Sequence, residues 1–564
     1  MSPKFKVAIL AGSDSRATCL ALERLLQLPA VEVCGVLFDT EAPSLRRRWR
    51  NFRRNIRREA ISYAWHRLAD AIVELLENWA ARVVSREEVN QLLQESFPER
   101  ISTLFHLPRM RGIQVFEVGN LNSAKASEVL RGLQADLGIV LGTRVLQRST
   151  FSIPRLGSLN LHKGKVPEYR GLPPGFWELY EGQATAGVTV HFIDENLDTG
   201  DIVAETSVEI HPKDSPETLR TKLDVCGAEL LAICVSRVAD GTAMRRPQPP
   251  SSRRPRTAPT RNERRELERR LKLPPQTPRW IRVAKTSLYL TIYYSGIYHL
   301  VRALNRRFPK GRSCILLYHR VNNLTQDQLT IGVERFAEHL ATIRQHYRVV
   351  TTAELVESVK QHKRPPSSTV AIHFDDCYRD VYTNAAPLLA GSRMPACVFV
   401  SSGFINTSRV FPHDAGKTPF FLENLKSPEL LGLVAAGFEI GAHTVNHVDL
   451  GHVRSDVALM ELSQSKTDLQ EILGGPINLV SYPYGRKRNI TSEVEQIARR
   501  IGYRAMFSAY GGFVNSRSDT FDIQRVGVGG QHRPLDLLME IEGISLAALK
   551  RAWSGEQTDT ETSN

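Results

Sequence analysis

The sequence contains no Cys-x-x-Cys pair. Its seven cysteines are scattered and odd in number, which argues against a disulfide framework or a structural zinc site and for a reducing compartment. No stretch of about 18 or more uncharged apolar residues occurs, so a membrane-spanning helix is not expected. The start, MSPKFKVAILAGSDS, has an apolar run too short for a signal peptide and reads as a first buried strand. The expected location is therefore cytoplasmic. The loop after that strand carries Gly12 but not G-x-G-x-x-G, which leaves a dinucleotide site unsupported.

Acidic residues are missing only locally. Residues 43–58 hold eight arginines and no acid. Residues 245–272 hold ten arginines, one lysine and three glutamates, and 279–312 hold eight basic side chains and no acid. Each segment carries +8; together they exceed the net charge of +14, so the remainder is acidic by about 10 charges. This is not a uniformly basic surface, and nucleic acid is not the expected partner. At 564 residues and 42% hydrophobic content, the chain has material for two cored domains plus linkers.

Lys6–Leu10 reads as a strand, Cys19–Leu28 as a helix and Val31–Phe38 as a second strand, the β-α-β opening of an open parallel sheet. Arg46–Arg58 begins a charged helical insertion, about 43–95, running through Trp65, Trp79 and Gln91. Its ordinary reading is a solvated helix face. Val115–Val118, Ala124–Leu133 and Leu137–Leu141 continue as strand, helix and buried strand.

The stretch Ser158–Asp201 then gathers chemistry. Asn160 and His162 are two apart in Leu-Asn-Leu-His, so on a strand they share a face. Asp198 sits in the turn Asp-Thr-Gly-Asp that closes the next apolar run. An amide to hold an oxyanion, an imidazole to move protons and a carboxylate to orient it suit transfer of an acyl group to an amine. Singly, each residue also reads as an ordinary turn or buried polar group.

This stretch resembles the folate-dependent formyltransferases, which act on methionyl-tRNA, glycinamide ribonucleotide or sugar nucleotides. The shared pattern is Asn160, His162, Pro167, Tyr169-Arg170-Gly171 and Asp198-Thr199-Gly200-Asp201. The resemblance implies a Rossmann-like domain over 1–240, catalysis by Asn160, His162 and Asp198, and 10-formyltetrahydrofolate as formyl donor. It also implies a cofactor loop at Pro167, Tyr169, Arg170 and Gly171. The loop after His162 departs from the tRNA enzymes, reading Lys163-Gly164-Lys165-Val166-Pro167. Those enzymes also carry a tRNA-contacting β-barrel, whereas residues after 240 show no alternating strand pattern. Methionyl-tRNA therefore ranks low as acceptor.

Residues 241–278 are rich in arginine and proline and poor in apolar residues. A disordered linker is expected, with a short charged helix at Glu263–Leu271. Residues 279–312 differ. Between Lys285 and Arg302 lies TSLYLTIYYSGIYHLV, with Tyr289, Tyr293, Tyr294 and Tyr298. Tyrosines with basic flanks suit a helix lying at a membrane interface, so peripheral membrane contact through 279–305 is one expectation; packing on the next domain is the other.

A second α/β pattern occupies 313–553. Strands at Ile315–Tyr318, Val370–Phe374, Val398–Val400 and Phe438–Ile440 alternate with helices, and polar residues follow their C-terminal ends. Asp375-Asp376 follows one strand and His443-Thr-Val-Asn-His447 another; Ser481-Tyr-Pro-Tyr-Gly485 lies beyond the short strand Leu479–Val480. Two histidines and a carboxylate make a divalent-metal site with a position open to water, and the adjacent carboxylate can serve as base. A backbone N–H near Tyr484 is a candidate oxyanion donor.

This half resembles the polysaccharide deacetylases (NodB homology, carbohydrate esterase family 4), which implies a (β/α) barrel. It also implies Asp375 as base, with Asp376, His443 and His447 on a metal expected to be zinc. His319, in Tyr-His, is the implied acid for the leaving amine, with His532 the competitor. The usual glycine after Asp-Asp is Cys377, and Ser481 stands where an arginine is usual; Arg525 is the candidate replacement cation beside Asp375. Residues 554–564 read as a disordered tail.

The joint reading is a bifunctional enzyme that deacylates an amino sugar and formylates an amine, with the same nitrogen as one expectation. The expected partner is a nucleotide-linked sugar, a lipid-linked sugar or a polysaccharide. Two independent fused activities, or a non-catalytic membrane-associated scaffold, are the alternatives.

Overall fold

The computed structural model describes residues 4–41, 49–50, 52–53, 56, 62–98, 100, 103–107, 111–249, 254–272, 278–307, 313–324, 327–363, 368–416, 418 and 420–554. Most of Arg46–Arg58, residues 250–253 and 273–277 of the expected linker, the end of 279–312 and the tail from 555 lie outside these. Two compact units result: 1–68 with 98–276, and 69–97 with 277–564. The first reaches past the expected boundary at 240. The second begins inside the expected 43–95 insertion.

The first unit is built on a seven-stranded sheet: β1 (Phe5–Ala11), β2 (Val31–Asp39), β3 (Val115–Val118), β4 (Leu137–Leu141), β5 (Ser158–His162), β6 (Thr185–Phe192) and β7 (Ile202–Glu209). The order is β3-β2-β1-β4-β5-β6-β7. The first five strands are parallel, while β6 and β7 run antiparallel to their neighbours. The expected open parallel sheet is thus a mixed one. Residues 193–201 are too few for a crossover helix, so β7 can only return beside β6. Helices Arg16–Leu26 and Pro216–Ala239 cover one face through Leu22, Leu25, Leu219 and Leu223. Helix Ala124–Gly132 covers the other through Ala126 and Leu130. β4, buried along its whole length, lies between them.

The described parts of the expected disordered linker are folded onto this unit. Arg246 and Ile202 exchange backbone hydrogen bonds at 2.9 and 2.8 Å. The Arg256 N–H donates to the Arg170 carbonyl at 2.7 Å, and the Leu172 N–H donates to the Arg256 carbonyl at 3.2 Å. Helix Arg261–Arg270 starts at a Thr260/Glu263 capping box and buries Leu267. Low apolar content predicts disorder only if a segment must supply its own core. This strap instead adds bridges to an existing sheet and loop and one leucine to an existing core.

The second unit has a curled parallel sheet: β8 (Cys314–Tyr318), β11 (Arg348–Val349), β12 (Thr369–Phe374), β13 (Cys397–Val400), β14 (Glu439–Ala442), β15 (Leu479–Ser481), β16 (Ala505–Phe507) and β17 (Val526–Gly527). Its order is β16-β15-β14-β13-β12-β8-β17, with β11 beside β12. β9 (Arg320–Val321) and β10 (Thr330–Ile331) form a separate parallel pair. This is the arrangement of a (β/α) barrel of the expected type.

Residues 69–97 are not a solvated insertion in this unit. Val83, Val84, Val89, Leu92 and Leu93 are buried in the same cluster as Phe336, Leu340 and Leu388. Glu88 accepts hydrogen bonds from Arg344 and, at 2.7 Å, from Gln345. The helical spacing of these apolar residues marks a packed face, which the flanking charge obscured. Helices Arg279–Tyr294 and Ile297–Arg307 bury Tyr289 and Tyr298 in that core too.

Five buried aliphatic side chains in 83–93 stabilise the unit by about 1.5–3 kcal/mol each, a sum comparable with a whole domain's stability of about 5–15 kcal/mol. Residues 277–564 expressed alone should therefore fail to fold, and adding a peptide of 69–97 should restore the circular dichroism spectrum. A cooperative, unchanged melting transition for 277–564 alone would contradict this.

Candidate active sites

In the first unit the strand pattern sets the site. Asn160 and His162 are on β5, and Asn160 lies opposite His191 of β6 in the register. The Asn160 amide donates to Asp198 Oδ1 and to His191 Nε2, each at 3.2 Å. His191 Nδ1 lies 2.8 Å from the Phe192 carbonyl, which can only accept, so His191 carries its proton there and Nε2 is free to accept. His162 Nε2 is likewise 2.8 Å from the Tyr169 carbonyl, which puts its proton on Nε2 and leaves Nδ1 as the basic nitrogen, 3.5 Å from Asp198 Oδ2.

Burial lowers the His162 pKa, against the opposing pull of Asp198, so the imidazole is held neutral. Burial raises Asp198, but the neighbouring His191 and His162 imidazoles outweigh it, and the carboxyl ends below its ordinary value. The Gly171 N–H adds to that support.

The Tyr169-Arg170-Gly171 loop therefore holds His162 and Asp198 through its backbone. The Tyr169 hydroxyl donates to Glu181 at 2.8 Å. Gly164 is needed where the loop folds back: a Cβ there would stand 2.4 Å from the Tyr169 carbonyl oxygen. Gly171, at φ +95°, would bring a Cβ to 2.2 Å from the Arg256 carbonyl oxygen of the strap. The strap also reaches the other loop, since the Gln248 amide donates to the Asp198 and Gly200 carbonyls at 3.1 and 2.7 Å. Lys163 forms an ion pair with Asp224.

In the second unit the site lies at the C-terminal ends of the strands. Asp375 and Asp376 follow β12, His443 follows β14, and Ser481 ends β15. Arg525 is fully buried and donates from Nη1 and Nη2 to Asp375 Oδ1 and Oδ2 at 2.7 and 2.6 Å. Its Nε donates to the Ser508 carbonyl at 2.9 Å. Burial pushes Asp375 up, but Arg525 and then His443 pull it down further, so it is ionised.

His443 Nδ1 is 3.0 Å from the Ser481 carbonyl, so the proton sits on Nδ1 and the Nε2 lone pair faces Asp376 Oδ1 at 3.6 Å. Burial pushes its pKa down to about 4, which keeps it neutral. His447 Nε2 is 3.2 Å from Asp376 Oδ1. Asp376 and His447 both have left-handed backbones, at φ +77° and +55°, conformations retained where a site requires them.

A cleft lined by Asp375, Asp376, His443 and His447 also takes in His319 and Tyr484. His532 borders it as well, but its Nδ1 accepts from the Gly529 N–H at 3.2 Å. Tyr484 has φ +64° and its ring lies 4.9 Å from that of His447. Cys377 is buried, its thiol pushed up by burial to about 12.

Comparisons with known proteins match two separate stretches of the chain. The family "Polysaccharide deacetylase" matches residues 362–506, and the family "Formyl transferase" matches residues 76–234. The chain carries a formyltransferase-like domain and a polysaccharide-deacetylase-like domain. Similar curated proteins include the methionyl-tRNA formyltransferase of Agathobacter rectalis, 36% identical over 24% of this chain and 44% of that protein. Another is the methionyl-tRNA formyltransferase of Thermosynechococcus vestitus, 43% identical over 18% of this chain and 32% of that one. The chain thus spans less than half the length of these relatives.

Among solved structures, the Streptococcus pyogenes deacetylase PplD in complex with acetate aligns with 41% of this chain and 99% of its own, at 22% identity and a TM-score of 0.37. Glycinamide ribonucleotide transformylase 1 from Symbiobacterium toebii aligns with 44% and 96%, at 16% identity and a TM-score of 0.29.

Several residues at the two domains' sites are absent from the sequence reading. His191 and Gln248 touch the formyltransferase-like triad, but their importance depends on cross-strand register and on a strap that composition hides. His413 borders the deacetylase-like cleft with Nε2 3.6 Å from Asp376 Oδ2, yet an isolated histidine in a loop carries no spacing signal. The alternation Val188–Phe192 on β6 could have pointed to His191.

The metal expected in the deacetylase-like domain fits these residues. Asp376, His443 and His447 bring ligand atoms within 4.8 Å of one another. Both Asp376 oxygens are buried with no hydrogen-bond partner among the described residues, and burial is outweighed by His413 and His447 in holding the carboxyl ionised. A buried carboxylate with both oxygens unpartnered, facing two imidazoles, is a cation site by its chemistry.

Elemental analysis of the purified protein should find about one divalent ion per chain at this three-ligand site. Asp376→Asn and His447→Ala should lose it, and His319→Ala should keep it. Equal metal in all three variants would refute the assignment. Arg525→Ala strands a buried carboxylate and should cost about 3–5 kcal/mol in denaturant unfolding. Adding Asp375→Asn should recover part of that loss; simple additivity would mean the pair is not coupled.

Proposed function

We propose that this chain exchanges an N-acyl group for a formyl group on an amino sugar. The observation that carries this reading is the presence, on one chain, of a centre suited to exposing an amine and a centre suited to acylating one. The substrate class is a nucleotide-linked or lipid-linked sugar or a polysaccharide. Seven free thiols support a reducing, cytoplasmic setting.

For deacylation, Asp376, His443 and His447 would hold a divalent cation, expected to be zinc, which supplies carbonyl polarisation and a water of lowered pKa. Asp375, oriented by Arg525, takes the proton of the attacking water on a carboxylate oxygen. His319 delivers a proton to the leaving nitrogen. The backbone around Tyr484 and Gly485 faces the developing oxyanion. The His532 tie to Gly529 favours His319 as the acid.

For formylation, 10-formyltetrahydrofolate would supply the formyl group, with the Pro167–Gly171 loop beside it. Asn160 turns an amide N–H to the developing oxyanion. His162 Nδ1 takes the proton of the attacking amine, Asp198 at 3.5 Å stabilises the resulting imidazolium, and the proton passes to the leaving tetrahydrofolate nitrogen as its bond to the formyl carbon breaks. Methionyl-tRNA is disfavoured as acceptor: the described residues between 241 and 272 form a strap and one helix, not a further barrel.

Incubation with zinc, 10-formyltetrahydrofolate and a panel of N-acetylated nucleotide- and lipid-linked sugars, read by mass spectrometry, should show replacement of acetyl by formyl on one molecule. Asp375→Asn should stop at the starting material. His162→Ala should accumulate the free amine, with formylation reduced about 10²-fold or more. Loss of acetyl with no formyl gain on any acceptor in the panel would reject the exchange.

A further inference from the structure

We infer that the second unit docks on an anionic membrane surface through an apolar face built from three helices. This reaches beyond the acyl exchange and does not depend on it.

Helices Arg279–Tyr294 and Ile297–Arg307 each present two apolar stripes. One stripe is spent on the core, where Tyr289 and Tyr298 are buried. The opposite stripe faces solvent. On the first helix Trp280 is 72% exposed, Leu288 43% and Tyr294 59%. On the second, Ile297, Leu300 and Leu304 follow at i, i+3 and i+7 and are 48%, 59% and 41% exposed. A helix that only packs on its domain turns polar residues outward; these do not.

The third contributor comes from elsewhere in the sequence. Within helix Ser62–Ala81, Ile72, Leu75 and Trp79 also fall at i, i+3 and i+7 and are 41%, 60% and 49% exposed. The Trp79 ring meets the Tyr294 ring edge-on at 6.3 Å, and Glu77 pairs with Arg282. The stripes therefore adjoin. Scattered exposed apolar residues need no explanation, but aligned stripes on adjoining helices mark an interaction surface.

The charge around the face identifies the occupant. The first two helices carry Arg282, Lys285, Arg302, Arg306 and Arg307 and no acid, against Arg67, Asp70, Glu74 and Glu77 on the third. Aromatic and aliphatic side chains on one face with arginine and lysine beside them suit the interface of an anionic bilayer, where the rings sit at headgroup level. No described helix is long and apolar enough to cross a membrane, so the contact lies along the surface. The Tyr289 hydroxyl accepts the Leu546 N–H at 2.9 Å, and the next residue, Ala547, borders the deacetylase-like cleft. The start of helix Leu546–Ser554 thus adjoins the buried stripe and the cleft, while the exposed stripe stays open to the bilayer.

The test is cosedimentation of the full-length protein with vesicles of phosphatidylcholine plus phosphatidylglycerol, against phosphatidylcholine alone. Binding should require the anionic lipid. Leu288→Glu with Leu300→Glu should weaken it at least about tenfold, and Leu75→Glu should weaken it further. Circular dichroism and metal content report whether the variants remain folded. If they do not, quenching of wild-type tryptophan fluorescence by brominated lipid gives a second reading, because Trp79 and Trp280 lie on the face. Equal binding to neutral vesicles, variants that bind as wild type, or no quenching would overturn the proposal. So would a wild-type dimer in sedimentation velocity that Leu288→Glu with Leu300→Glu dissolves, since the face would then be a self-interface. The assay reads no catalysis, so its failure and the failure of the acyl exchange are separate results.

Discussion

Arg525 has no exposed surface, and its two terminal nitrogens are both spent on the oxygens of Asp375. A single charge of either sign at that depth costs several kcal/mol, so the two residues require each other. The pair also reaches across the fold. Arg525 immediately precedes β17, Asp375 follows β12, and Nε of Arg525 bonds the carbonyl of Ser508 just after β16. β16 and β17 are the two ends of the strand path. One guanidinium therefore links both ends of the strand path to the carboxylate that follows β12 and lines the cleft.

The same constraint explains the small residue at Ser481. With the cation arriving from the β17 side, the end of β15 is free for a side chain that serves its neighbours. The Ser481 hydroxyl lies 3.3 Å from Asp375 Oδ1 and 2.5 Å from His443 Nδ1, while its carbonyl fixes the His443 proton. The formyltransferase-like site uses the same device: the Tyr169 carbonyl fixes the proton of His162 and leaves the other nitrogen basic. In both units a backbone carbonyl chooses the tautomer, and in both a buried carboxylate faces the remaining nitrogen.

What the sequence made legible was local. Asn160 and His162 are two apart on one strand, Asp375 and Asp376 adjoin at a strand end, and His443 and His447 lie in one short loop. Spacing alone brings such groups together. Arg525 was reachable from a missing charge, since a buried Asp375 demands a cation. Residues whose role depends on distant register were not legible: His191 matters because β6 runs antiparallel beside β5, and Gln248 because its amide reaches the Asp198 and Gly200 carbonyls of a distant loop. Composition misled twice. The arginines that open the insertion at Arg46–Arg58 suggested a solvated helix where Val83–Leu93 enter a core, and scarce apolar residues suggested disorder in 241–278, where the helix expected at Glu263–Leu271 forms as Arg261–Arg270 and anchors a strap through Leu267.

The chain path bears on why two chemistries are fused. Two domains joined by one linker can exchange partners through a single crossing, whereas this chain passes between its units at 68–69, 97–98 and 276–277. The second unit cannot complete its core without residues that lie, in sequence, inside the first. The first unit's strap, which bonds the Arg170 and Asp198 carbonyls, is in turn the segment that leads to the second. Neither unit is a module that was merely appended. A cut at any single point of the sequence therefore leaves at least one unit incomplete.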